Sequence, residues 1–229
     1  MNLNARSNYF RVVPTNESTR PSRGRRRRRG RPKAGLGRST RVEILKSAAA
    51  AFRKLGYHGA TVEQIAAALH MKKGNLYYYF RNKEEILFAC HQYSLDRLLE
   101  LLDAVERSEA SADEKLRSLI VAAVHLILDE LHGTALLLDL EALSPSHLKA
   151  VITRRDQFDR GMRQVIEEGI QAGRFERCDT KLLSFAILGA VNWIPRWFRP
   201  DGPATSREIG DRFATYLVGG LVSGARASQ

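Results

Sequence analysis

A stretch between residues 61 and 80, TVEQIAAALHMKKGNLYYYF, carries side chains whose chemistry suits contact with DNA. Lysine ammonium groups and tyrosine hydroxyls bind phosphates, whereas asparagine amides and tyrosine rings meet base edges and thymine methyl groups. The alternative interpretation is a solvated surface helix that happens to contain two lysines. The candidate DNA-contacting residues are Thr61, Lys72, Lys73, Gly74, Asn75, Tyr77, Tyr78, Tyr79 and Lys83.

Two short helices must position these side chains. Thr61 and Gln64 have the spacing of a capping box, which predicts a helix start at Thr61. A second helix is predicted from Lys72 to Phe80, with Leu76 and Phe80 pointing inward and Lys73, Asn75, Tyr78 and Tyr79 pointing outward. Tyr77 is the candidate that could turn inward. Each helix is too short to be stable alone, so both must pack on neighbours.

The segment GNLYYYFRNKEEIL, from Gly74 to Leu87, resembles the second half of the helix-turn-helix of the TetR family of bacterial repressors. The resemblance extends from about Thr40 to Tyr93. It departs from the family pattern at His70, where Gly is usual and a turn conformation is required, and at Lys72, where Ser or Thr often caps the helix. The resemblance implies a homodimer that binds a palindromic operator in double-stranded DNA and responds to a small-molecule effector.

The remaining periodicity predicts an all-α fold, with a three-helix DNA-binding head followed by a helical ligand-binding and dimerisation body. A second capping box at Thr40 predicts the start of the first helix, and Gly56 predicts its end. Predicted domains are a disordered basic tail (1–38), the head (39–98) and the body (99–229). Further helices are predicted at 83–105, 114–131, 133–143, 147–172, 180–197 and 205–223.

The charge of the chain lies in the tail. Residues 1–41 hold thirteen of the 37 Lys and Arg but one of the 25 acidic residues, so the rest of the chain is neutral overall. Arg29 and Arg31 lie in a segment that resembles an AT-hook, which inserts arginines into a narrow minor groove. The alternative is a polycation that binds any DNA through its phosphates. A transit peptide fits less well, because a bacterial-type regulator follows.

The composition offers no catalytic or metal-binding pattern. The two cysteines, Cys90 and Cys178, are isolated, and the six histidines are scattered. We therefore expect no cofactor, no metal and no enzymatic activity. No run of residues approaches the roughly 18 apolar residues of a membrane span. We expect a protein of the bacterial cytoplasm that is associated with the nucleoid and not with membranes.

An aromatic and basic cluster within residues 192–202 is the candidate effector site. Aromatic rings stack on flat groups and arginines pair with phosphates, so an acyl-CoA thioester has matching chemistry. Residues 187–217 are similar to TetR-family regulators of fatty-acid, branched-chain and sterol-ring breakdown. The alternative is that the two tryptophans fill the dimer interface. The candidate effector residues are Arg154, Arg155, Trp193, Arg196 and Trp197.

These observations favour a homodimeric transcriptional regulator that is released from DNA by its effector. A rival interpretation is an architectural DNA-binding protein, in which the tail coats DNA and the body only dimerises. An enzyme acting on acyl-CoA is a third interpretation, but the sequence contains no arrangement of a nucleophile with a base.

Overall fold

The computed structural model describes residues 34–130 and 139–222. Within these residues the chain forms eight α-helices, which confirms the predicted all-α class. Phe175 and Val222 form an isolated antiparallel bridge that joins the segment after the sixth helix to the end of the last one. The helices are α1 (Ala34–Gly59), α2 (Val62–Ala68), α3 (Lys73–Tyr79), α4 (Lys83–Glu106), α5 (Ala112–His125), α6 (Pro145–Gln171), α7 (Thr180–Trp193) and α8 (Ser206–Gly219).

We call α1 to α3 the head. Its two short helices are held by a shared core, in which Phe52 of α1, Ile65 of α2 and Leu76 of α3 are fully buried. The capping box at the start of α2 is confirmed. Thr61 Oγ1 accepts from the Gln64 amide at 3.1 Å, and Gln64 Oε1 accepts from the Thr61 amide at 2.8 Å.

The first helix begins earlier than predicted. The backbone is helical from Ala34, so the predicted helix start at Thr40 is wrong, and the predicted tail 1–38 overlaps α1. Thr40 can lie within a helix. Residues 33–39 contain no proline, so nothing there prevents the helix from starting before Thr40. Gly56 has a φ of 71°, which confirms the predicted left-handed turn near the end of α1. Arg29 and Arg31 lie outside the described residues.

The fourth helix belongs to both parts of the molecule, and the predicted boundary at residue 98 falls inside it. Asn82 caps α4, because its Oδ1 accepts from the Glu85 amide at 2.7 Å. Contacts with α6 pair Glu84 with His147, Asp96 with Arg154, and Leu102 with Gly161. Since these pairs advance in the same direction along both helices, α4 and α6 pack in parallel.

We call α5 to α8 the body. Helix α8 packs closely on α5, because Gly210 has no side chain and an added Cβ would lie 3.3 Å from the Cα of Val121. Across the same pair, Arg117 Nη2 donates to Thr215 Oγ1 at 2.7 Å. Thr205 caps α8 in a capping box with Glu208, as the sequence predicts.

Several body helices end earlier than predicted. Helix α5 gives way to a π-helical turn at Leu126–Glu130, and α7 gives way to a 3-10 turn at Ile194–Arg196 that contains Pro195. Helix α8 ends at Gly219, next to a second glycine that weakens helix propagation. Most of the predicted helix 133–143 lies outside the described residues, and its described end forms a 3-10 turn at Leu140–Ala142.

Candidate DNA interface and effector site

The outward surface of α3 presents the predicted group of polar side chains. Lys72, Lys73, Gly74 and Asn75 are all exposed at the start of the helix. Leu76 and Phe80 are buried on the opposite side, as predicted, and hold the helix against the head core. Thr61 is exposed at the start of α2. We call this surface, made by Thr61, residues 72–75, Tyr77 and Tyr78, the α3 face.

One of the three tyrosines differs from the prediction. Tyr77 is 43% exposed and Tyr78 is 37% exposed, whereas Tyr79 is half-buried and packs against the core. The expected outward orientation of Tyr79 is therefore wrong, because its helical position lies closer to Leu76 than that of Tyr77 or Tyr78. Tyr79 supports Tyr78 through an edge-to-face ring contact with centroids 5.2 Å apart.

The turn before α3 has the geometry that the sequence requires. His70 adopts a φ of 53°, which confirms that histidine takes a turn conformation where glycine is usual. Lys72 is the N-cap of α3 and makes no side-chain capping bond, which confirms the predicted loss of a cap. The Lys72 ammonium group is exposed beside the α3 face.

Lys73 is paired with Glu63 of α2 on the protein surface. Hydrogen bonding to Lys73 lowers the pKa of the Glu63 carboxyl, and the same contact raises the pKa of Lys73. Glu63 therefore neutralises part of the positive charge on the α3 face.

Lys83 makes internal contacts that the sequence analysis did not predict, and its phosphate contact stays a prediction. Its Nζ donates to the carbonyl oxygens of Tyr57 at 2.7 Å and Ala60 at 3.0 Å, and it lies 4.4 Å from the Tyr57 ring centroid. The half-buried ammonium group therefore joins the start of α4 to the last turn of α1 and to Ala60, which follows α1.

A second set of contacts joins the start of α4 to the body. Glu84 Oε1 accepts from the Ser144 amide at 2.9 Å and lies 2.7 Å from His147 Nδ1. The His147 ring stacks on Phe88 with centroids 3.9 Å apart and an interplanar angle of 7°. Nearby, Asp139 Oδ2 accepts from the Tyr57 amide at 3.0 Å. We call this group the head–body contact.

The predicted effector arginines on α6 lie against α4. Arg154 donates to Gln92 Oε1 at 3.1 Å and pairs with Asp96. Burial lowers the pKa of the Arg155 guanidinium to about 10, and the positive charge of this group helps to lower the pKa of the buried His91 ring. The two arginines therefore form part of the α4–α6 interface.

The other predicted effector residues lie at the end of α7. The Arg196 guanidinium carbon is 5.9 Å from the Trp193 ring centroid, and the Trp197 ring is stacked near Phe213 of α8 at 6.2 Å. Trp193 is 64% exposed and Trp197 is 46% exposed. These contacts place the tryptophans on the α7–α8 side of the body.

Small and apolar residues form an exposed stripe along α7 and α8. Leu182 and Trp193 are 66% and 64% exposed, and Ala186 and Gly189 lie between them at helical spacing. Tyr216 of α8 is 72% exposed and is followed by the exposed pair Gly219 and Gly220. We call this surface the α7–α8 stripe.

Among the described residues, no three His, Cys, Asp or Glu side chains gather as a metal site would require. Within the same residues, no helix has the length and apolar character needed to span a membrane.

The fold and the α3 face define a helix-turn-helix DNA-binding protein, and two family models match the chain. Residues 44–90 match the model of bacterial regulatory proteins of the tetR family. Residues 109–221 match the model of the tetracyclin repressor-like C-terminal domain. The first match covers most of the head, and the second covers the body.

Individual relatives agree with these matches. The TetR-family transcriptional regulator PfmR of Thermus thermophilus is 30% identical, with a TM-score of 0.70 over 76% of this chain and 96% of that chain. The transcriptional repressor KstR2 of Mycobacterium tuberculosis is 29% identical over 192 residues, which are 82% of this chain and 96% of the relative. AibR, solved in complex with isovaleryl coenzyme A and operator DNA, is 28% identical, with a TM-score of 0.66 over 78% of this chain and 98% of that chain. The chain belongs to the TetR family of transcriptional regulators.

The head–body contact was not predicted from the sequence. Glu84 and His147 are 63 residues apart, and each is an ordinary polar residue near a helix start. His91 was also missed as a notable group, because an isolated histidine on an apolar helix face has no distinctive pattern. The sequence indicated the Glu63–Lys73 ion pair only weakly, through the position of both residues on the two helices of one helix-turn-helix.

The Glu84 carboxylate should stabilise the protein at neutral pH. Burial raises the pKa of this carboxyl, but hydrogen bonds from Ser144 and His147 outweigh burial and hold the pKa below its usual value. A lowered carboxyl pKa gives stability that is present above the unfolded-state pKa and is lost as the pH falls. We expect Glu84→Gln to lower the free energy of unfolding at pH 7 by about 1.5–3 kcal/mol.

Urea unfolding of Glu84→Gln and the wild type between pH 7 and pH 3 measures this effect. The difference between them should shrink once the pH falls below about 4.3, the usual glutamate pKa. Glu141→Gln, which changes an exposed carboxylate in the same region, is the matched control and should have little effect. A difference that stays constant across this range would contradict the assignment.

Proposed function

We propose that this chain is a homodimeric repressor that binds a palindromic operator through the α3 face and leaves it when an acyl-CoA thioester binds the body. The observation that carries the proposal is the exposed polar surface of α3, held rigidly by Leu76 and Phe80. The repressor KstR2 and the complex of AibR with isovaleryl coenzyme A and operator DNA support it.

The α3 face has separate groups for phosphates and for bases. Lys72 and Lys73 suit phosphates, while Asn75 and the exposed rings of Tyr77 and Tyr78 suit base edges in the major groove. No described atom lies within 4 Å of a Cβ added at Gly74, so DNA can approach the backbone there. Thr61 suits a phosphate at the start of α2. Tyr79 supports the face from behind, and Arg29 and Arg31 would reach the adjacent minor groove.

The α7–α8 stripe suits a dimer interface. Its small residues allow close helix approach, and its exposed Leu182 and Tyr216 would be removed from water by a second copy. Dimerisation also meets a requirement of operator binding, because two heads must reach major grooves about 34–36 Å apart.

The effector proposal rests on two groups of side chains, one basic and aromatic at the end of α7 and one basic on α6. Arg196 with Trp193 and Trp197 offers stacking and phosphate contacts for a nucleotide, and Arg154 and Arg155 lie along the α4–α6 interface. A ligand at this interface can alter the position of α4, which carries the head. It releases DNA only if it binds the DNA-incompetent conformation more tightly.

A DNase I footprint on the DNA flanking the protein's own gene tests the proposal directly. The footprint should be palindromic and should disappear with one member of a panel of CoA thioesters but not with the matching free acid. A palindromic footprint that no thioester removes would support the repressor but exclude a CoA thioester as its effector. Salt-sensitive binding without a footprint would instead favour an architectural protein.

Tyr78 should contribute to sequence recognition rather than to general DNA affinity. We expect Tyr78→Ala to weaken operator binding about tenfold to a hundredfold, the range for loss of a specific base contact. Binding to unrelated DNA should change little. Fluorescence anisotropy with both DNAs at several salt concentrations measures this.

Lys72→Ala is the matched comparison for Tyr78→Ala. It should weaken binding to both DNAs equally and reduce the salt slope by about one. Equal losses on operator and unrelated DNA for Tyr78→Ala would reassign Tyr78 to a phosphate contact.

Gly189→Arg should prevent dimerisation without unfolding the protomer. No described atom lies within 4 Å of a Cβ at Gly189, so the folded protomer can accept the side chain. We expect a monomer in analytical ultracentrifugation, with unchanged helical content and weakened operator binding. Gln157→Arg, which places the same charge on an exposed position of α6, is the control and should stay dimeric. A dimeric Gly189→Arg protein would place the interface elsewhere.

A further inference from the structure

A buried histidine in the middle of α4 has unused hydrogen-bonding capacity. The His91 side chain is 0% exposed, and neither of its ring nitrogens has a hydrogen-bond partner among the described residues. An unsatisfied buried polar group destabilises the folded state, so such a group calls for an explanation. An apolar residue of similar size would fill the same space without this cost.

The surroundings of His91 keep its ring neutral. Burial, together with the nearby charge of Arg155, lowers the pKa of His91 to about 3. A neutral imidazole offers one N–H donor and one acceptor nitrogen. Arg155 adds a guanidinium group, which donates hydrogen bonds and accepts none. His91 on α4 and Arg155 on α6 therefore both carry N–H donors at the α4–α6 interface.

Two acidic residues four or five positions from this pair, Asp96 and Asp159, are already engaged. Asp96 pairs with Arg154, and Asp159 pairs with Arg163 and accepts from Ser184. The His91 ring is therefore left as a buried polar group on the α4–α6 interface, with a cationic side chain beside it.

We propose that His91 and Arg155 bind an oxygen atom that the acyl chain of the effector carries in addition to its thioester carbonyl, either a ketone or a carboxylate oxygen. This inference rests on the proposed function and narrows the class of effector. The ligand is then an oxygenated acyl thioester rather than one with a plain saturated chain. The acyl oxygen accepts from the His91 N–H and from the guanidinium of Arg155.

The position of the pair links the bound oxygen to the head. His91 lies seven residues after Glu84 on α4, which is about two helical turns on the same side of the helix. Arg155 lies eight residues after His147 on α6. A ligand between His91 and Arg155 therefore occupies the same interface as the head–body contact, about 10 Å further along α4.

Three thioesters test the proposal with the full-length protein: hexanoyl-CoA, 5-oxohexanoyl-CoA and adipoyl-CoA. All three have a six-carbon acyl chain. Beyond the thioester carbonyl, hexanoyl-CoA has no oxygen on this chain, 5-oxohexanoyl-CoA has a ketone, and adipoyl-CoA has a terminal carboxylate. Affinity is measured by calorimetry without DNA and by release of operator DNA. We expect at least one oxygenated thioester to bind at least ten times more tightly than hexanoyl-CoA. The thioester with the higher affinity shows whether the site binds a ketone or a carboxylate.

Two variants assign the preference to His91. His91→Leu should abolish the preference, retain hexanoyl-CoA binding, and raise the melting temperature because a buried unsatisfied group is removed. His91→Asn, which keeps a donor and an acceptor, should restore part of the preference. Independently of variants, the ring-nitrogen NMR signals of His91 in the wild type should shift on addition of the preferred thioester.

The outcomes separate this inference from the proposed function. Equal affinity for the three thioesters would overturn the oxygen-binding role while leaving a CoA-responsive regulator. A preference that survives in His91→Leu would overturn the assignment to His91. Failure of all three to bind the wild type would overturn both.

Discussion

The parallel packing of α4 on α6 is the constraint on which the rest of the structure depends. Helix α4 starts in the head, where Lys83 donates to carbonyl groups in the last turn of α1 and at Ala60, and continues through the body to Glu106. Along its length it meets α6 through Glu84–His147, Asp96–Arg154 and Leu102–Gly161. Because α4 is one uninterrupted helix, a shift of α6 at any of these contacts acts on the element that orients the head.

The charge distribution separates general attraction to DNA from recognition. The positive excess lies in residues 1–41, whereas the remaining chain is balanced. Within the head, Glu63 pairs with Lys73 and offsets part of the charge on the α3 face. A face that is only modestly positive gains less from phosphates of any sequence, so the proposed base contacts by Asn75 and Tyr78 would weigh more in its choice of site.

Local signals in the sequence predicted local structure well. The capping boxes at Thr61 and Thr205, the turn at Gly56 and the positive φ of His70 all depend on residues within one or two turns of each other. The capping pattern at Thr40 is an exception, because the helix begins at Ala34. Contacts that depend on tertiary structure could not be predicted in this way. Tyr79 is held by the packing of the whole head, and Lys83 is drawn to carbonyl groups more than twenty residues away. The same reason explains why neither the Glu84–His147 contact nor the isolation of His91 could be predicted.

The free energy of the head–body contact determines how strongly an effector must prefer the altered conformation. A hydrogen bond to a charged group contributes about 1.5–3 kcal/mol, and Glu84 accepts two, from Ser144 and His147. Disrupting one of them requires a ligand that prefers the altered conformation by about tenfold to a hundredfold, since each factor of ten corresponds to about 1.4 kcal/mol. A buried polar contact at His91 and Arg155 has a magnitude in this range. In a dimer both protomers contain the contact, so two bound effectors can produce the shift of about 5.5 kcal/mol that moves a population almost completely from one state to the other.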